Sequence, residues 1–92
     1  MNKNEKNFST RDIGLAATLV SLGFPITTVD MQIEGARGNC VGYFAFEKTP
    51  ELLRVEKEYW SGTTLCEPRG FLVNLRSLKS RITNLYKNPS LQ

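Results

Sequence analysis

One stretch near the end of the chain, Pro68 to Lys87, constrains the fold more than any other. Its apolar residues Phe71, Leu75, Leu78, Ile82 and Leu85 recur at alternating spacings of four and three, the repeat that lines up side chains on one stripe of a helix. The same stretch holds five basic residues, Arg69, Arg76, Lys79, Arg81 and Lys87, and no acidic one. At about 100° per residue, Arg69, Arg76, Lys79 and Lys87 fall on a face beside that stripe and Arg81 on its other flank. Such a helix closes a core with one side and offers positive charge with the other. The upstream chain has to supply the layer it packs on.

That upstream chain predicts two helices and a hairpin. Ser9 is placed to cap a first helix, with Asp12 three residues on and Phe8 and Ile13 at the spacing of a hydrophobic staple. Ile13, Ala16, Ala17 and Val20 form one face, and Leu15, Leu19 and Leu22 widen it until more than one side is apolar. Gly23, Phe24 and Pro25 end the helix in a left-handed cap followed by a stop. Ile26 to Glu34 alternates as a half-buried strand, with Val29, Met31 and Ile33 on its apolar face. Gly35-Ala36-Arg37-Gly38 has hairpin length, and Asn39 to Glu47 returns with Phe44 and Phe46 directed to the core and Tyr43 to the more polar face. Thr49 and Pro50 open a second helix carrying Leu52, Leu53, Glu56, Tyr59 and Trp60 on or near one side, and Ser61-Gly62 closes it. Thr63 to Glu67 reads as either a short third strand or an extended connector.

The expected architecture is therefore an α+β domain of order α-β-β-α-(β)-α, a small antiparallel sheet packed by three helices. Residues 1–7 are expected as a disordered tail, 8–88 as one domain and 89–92 as a second tail. Ninety-two residues suit a single thin core, burying only about 60–65% of the unfolded chain's surface. No run approaches the roughly 18 apolar residues of a membrane span and no signal-type apolar segment begins the chain, so a cytoplasmic protein without a membrane partner is expected. Cys40 and Cys66 lie in alternating apolar segments, which reads as two free, largely buried thiols in preference to a disulfide.

The elements in order carry a resemblance. Phe8-Ser9-Thr10 before Asp12-Ile13 and Leu15-Ala16-Ala17, then Gly23, Tyr43-Phe44-Ala45-Phe46-Glu47, Glu56 to Tyr59 with Gly62, and Leu78-Lys79 with Ile82 form a series. It resembles a small family of bacterial, archaeal and phage proteins classed as a domain of unknown function. The resemblance covers Phe8 to Tyr86 and implies a phage or mobile-element origin. It brings no site residue with it.

Chemistry-bearing patterns are scarce. The chain contains no histidine, so the commonest general base near neutral pH is missing, and the serines stand in no nucleophile motif. Two cysteines without histidine make no metal-ligand spacing, and no cofactor or small-molecule motif occurs. A non-enzyme is expected. Gly42-Tyr43-Phe44-Ala45-Phe46 echoes the aromatic strand of RNA-recognition domains, but the expected order of elements differs from theirs and core aromatics are the plainer reading.

Charge distribution favours one partner class. Residues 1–67 hold seven basic and nine acidic residues, whereas 68–92 hold five basic and none acidic. That asymmetry points to an anionic partner, DNA or RNA, met by Arg69, Arg76, Lys79, Arg81 and Lys87 with Arg37 at the hairpin tip. The plainer reading of the same residues is a solvated helix face and an exposed turn. The alternative function is a protein-interaction or self-associating inhibitor module. It would meet its partner through Tyr59, Trp60 and Tyr43 or through the 71/75/78/82/85 seam.

Overall fold

The computed structural model describes residues 6–87. Its elements are β1 (Asn7–Thr10), α1 (Ile13–Ser21), β2 (Ile26–Glu34), β3 (Asn39–Glu47), α2 (Pro50–Ser61) and α3 (Pro68–Lys87). The class is α+β, with three helices and a three-stranded antiparallel sheet of order β1-β3-β2. The helices and the hairpin come as the residue pattern predicts, and the third strand comes from an unexpected place. It is Asn7–Thr10, paired Asn7 to Glu47 through Thr10 to Phe44, while 63–67 is a connector. The remainder of the expected tails, residues 1–5 and 89–92, lies outside the described residues.

Making Ser9 part of a strand moves the helix start. Asp12 is the cap: its Oδ1 accepts from the Leu15 N–H at 2.8 Å, and its own N–H donates to Thr10 Oγ1 at 3.0 Å. The expected staple is absent for the same reason, because Phe8 stands opposite Phe46 in the sheet. At the other end Gly23, at φ 98°, lets the Phe24 N–H reach Leu19 O and the Gly23 N–H reach Val20 O, both at 3.0 Å. Between these caps Leu15, Ala16, Ala17, Thr18 and Leu19 are all buried, as an uncharged helix requires.

β1, α1 and β2 form a split β-α-β unit with β3 inserted between the two outer strands. Period-two alternation places Phe8, Thr10, Phe44, Phe46 and Val29 toward the helices. A bulge between Ile26 and Thr28 returns Ile26 to that face, opposite Phe46. Phe44 and Phe46 are 1% and 0% exposed and form the core with Leu15, Leu19, Leu52, Val55 and Leu78. Phe71, Leu75, Ile82 and Leu85 pack against that core, so the α3 seam is intramolecular. Gly42 lets α3 come close: a Cβ there would overlap the Ile82 side chain.

Three core expectations are corrected. Met31 is half-buried and Ile33 is 75% exposed, because the hairpin runs past the helical layer. On α2 the buried residues are Leu52 and Val55, with Tyr59 packed against them, while Leu53 and Trp60 are exposed; an i, i+3, i+7 stripe won over the wider side. Cys40, opposite the exposed Ile33, is exposed, and Cys66 is half-buried in the connector; both are free thiols. Cys40 should therefore react with a thiol reagent in the native protein and Cys66 should lag behind it. Absorbance-monitored labelling checks this, and the order fails if neither thiol reacts before unfolding.

Candidate nucleic-acid interface

α3 begins with a side-chain cap that fixes its first turn. Glu67 accepts from the Arg69 N–H at 3.0 Å and from the Gly70 N–H at 2.6 Å, which holds the one carboxylate adjoining the helix against the backbone donors. Farther along, Asn74 Nδ2 donates to Ser21 Oγ at 3.0 Å and ties α3 to α1. With Leu78 and its neighbours facing inward, the remaining circumference is solvated. Arg69, Arg76, Lys79, Arg81 and Lys87 are all exposed.

Among the described residues the ion pairs are Arg11–Glu34 at 3.2 Å and Arg54–Glu58 at 3.1 Å, and neither involves α3. Arg69 and Arg76 lie two turns apart on one face, and at 1.5 Å per residue the row from Arg69 to Lys87 spans about 27 Å. Duplex DNA carries one negative charge per about 1.7 Å of axis, so such a row meets several phosphates at once. Arg81 lies across the helix, lining a cleft with Val20 and Ile26. Arg37 sits at the exposed tip of the β2–β3 turn, on a different element from the other five. The turn depends on Gly35 and Gly38, at φ 82° and 68°, which are joined by a Gly38 N–H to Gly35 O bond of 3.1 Å.

The three aromatics of the alternative surface are spread over two sides of the fold. Tyr43 lies on the sheet face away from the helices, where its hydroxyl donates to Glu34 Oε2. That hydrogen bond to a carboxylate, which favours the neutral phenol, raises its pKa above the usual value. Tyr59 packs on the core and donates to Asp12 Oδ1 at 3.2 Å; burial, then the Asp12 charge, raises its pKa. Trp60 is 59% exposed, stacked edge-on to Tyr59 at 4.9 Å, with its Nε1 donating to Glu56 at 3.0 Å. Tyr59, and not the single tryptophan, is therefore the aromatic residue of α2 that packs on the core.

With β1 the chain runs β-α-β-β-α-α, which follows the order of RNA-recognition domains as far as α2 and departs from it where α3 stands in place of a fourth strand. The objection from burial stands: Phe44 and Phe46 face the core, and Tyr43 is the aromatic residue of β3 on the open face. Arg11 is a surface residue that the sequence reading missed. Its guanidinium donates to Glu34, whose other oxygen accepts from Tyr43, so three separate segments meet and no local signal links positions so far apart.

Among the described residues no three His, Cys, Asp or Glu side chains cluster as a metal site would need, and no helix is long and apolar enough to cross a membrane. No curated protein and no solved structure matches the chain significantly. Residues 5–84, most of the chain, match the family described as a domain of unknown function (DUF5659), and the protein belongs to that family.

Proposed function

We propose that this is a cytoplasmic, non-catalytic nucleic-acid-binding domain that lays α3 along a phosphate backbone. The observation that supports it is the set of five exposed cations on α3, Arg69, Arg76, Lys79 and Lys87 along one face and Arg81 across the helix, none in an ion pair among the described residues. α2 shows what an ordinary solvated helix of this chain looks like. There Glu51, Arg54, Glu56, Lys57 and Glu58 intersperse both signs, with Arg54 and Glu58 paired at i, i+4. α3 has no such compensation, and a cation left uncompensated gains most from a phosphate that sheds its counterion.

Salt titration of binding is the test. For three to five phosphate contacts on duplex DNA, log affinity should fall with log salt at a slope of about −3 to −4.5. Replacing Arg76, Lys79 and Lys87 together by Gln should flatten the slope with the fold intact, because all three are exposed. Arg76→Ala alone should weaken binding alike across sequences, since a phosphate contact positions the protein without reading bases. A folded wild-type protein that binds neither duplex, single-stranded DNA nor RNA at about 50 mM salt overturns the reading.

The second reading, a protein-interaction module of phage or mobile-element origin, draws its support from the exposed ring of Trp60. Salt-tolerant association of fixed stoichiometry, lost in Trp60→Ala, would favour it.

A further inference from the structure

We propose that the edge of β3 left open beyond the end of β1 is a docking groove for an extended acidic peptide. β1 is short: it pairs with Phe44 to Glu47 and then turns into α1, while β3 extends back to Asn39. Strand geometry decides which backbone groups are left over. The Lys48 N–H bonds Lys6 O at 2.9 Å, which makes 48, 46 and 44 the residues whose N–H and C=O point toward β1. Continuing that alternation, Gly42 and Cys40 present their N–H and C=O on the same edge, past the point where β1 stops. Tyr43 and Val41 point the other way, into the β2 ladder. Among the described residues no other hydrogen bond reaches Gly42 or Cys40.

That open row is the wall of a groove. A cleft of about 460 Å³ lies between it and α3, with Ile13, Phe44 and Ile82 among its apolar lining; of its two cations Arg11 is paired with Glu34 at 3.2 Å, and Lys79 is in no ion pair among the described residues. An added strand would complete the ladder β1 leaves unfinished, send alternate side chains into the apolar lining, and bring a carboxylate to Lys79. Charge selects among occupants. A second copy of the chain paired through this edge would bring a second Arg11–Glu34 pair and a second Lys79 to the groove, and no carboxylate for either lysine. A nucleic-acid base would find no stacking platform, because Phe44, the aromatic ring of the lining, is 1% exposed. An acidic extended segment meets neither obstacle. The inference is separate from the nucleic-acid reading and shares only Lys79 with it.

The experiment is backbone amide exchange followed by NMR on the full chain, free and with an acetylated octapeptide alternating valine with glutamate. In the free protein the Cys40 and Gly42 amides should exchange faster than those of Val41 and Tyr43. Saturating peptide should slow Cys40 and Gly42 by about tenfold or more, and the valine–lysine counterpart should not. Cys40→Pro deletes one edge N–H without touching the β2 ladder and should weaken peptide binding about tenfold. Should that variant unfold, Lys79→Glu, at an exposed helix position, should weaken binding to a similar extent. Three results overturn the proposal: no protection of these amides at millimolar peptide, equal protection by the lysine peptide, or protection by oligothymidine in place of the peptide.

Discussion

Phe46→Ala should lower the stability of the domain by about 3–5 kcal/mol, the range for emptying a fully buried aromatic site. Phe46 is 0% exposed on the central strand, with Phe8 of β1 on one side and Ile26 of β2 on the other. Truncation therefore removes contacts to both neighbouring strands and to the helical layer together, and the site has little freedom to collapse. For a domain of this size the midpoint of thermal unfolding should drop by roughly 15–30 °C, a large part of a total stability of about 5–15 kcal/mol. Thermal and urea unfolding followed by circular dichroism measure it. Ile33→Ala is the control: that side chain is 75% exposed, and the change should stay within about 0.5 kcal/mol. Similar losses for both variants would mean that the hairpin does not bury the face assigned to it.

Leu78→Ala should cost about 2–5 kcal/mol with no change in the molecular mass measured by sedimentation equilibrium. Leu78 is 5% exposed at the middle of the α3 seam, in the same core as Phe44, Phe46 and Leu15. Leu72, on the same helix but 47% exposed, should tolerate alanine far better. The pair of readouts matters because one apolar stripe serves equally well inside a chain or between chains. Unchanged stability accompanied by dissociation of an oligomer would make the seam intermolecular and return it to the interaction-module reading.

The candidate site was readable to the extent that it is local. Arg69, Arg76, Lys79, Arg81 and Lys87 belong to one helix, and helical periodicity alone places them off the apolar stripe. Arg11 and the open edge at Cys40 and Gly42 belong to no single segment. They become a surface only when β1 stops short beside β3 and α3 lies alongside, so no residue pattern could announce them.

Elements that carry their own punctuation are legible in the order of residues. α3 came from its spacing of four and three, α2 from Thr49, Pro50 and Gly62, and the hairpin from two alternating runs around a glycine turn. Each signal lies within a few residues, where backbone geometry and capping chemistry act directly. The rest depends on contacts between distant segments. Asn7–Thr10 is too short to show a period, and it is a strand because the free edge of β3 offers it partners; that pairing moved the helix cap from Ser9 to Asp12. Cys40 and Ile33 alternate as core residues do but extend beyond the helices, so they stay in water. Periodicity specifies which face a side chain is on, and only the packing of a second layer determines whether that face is covered.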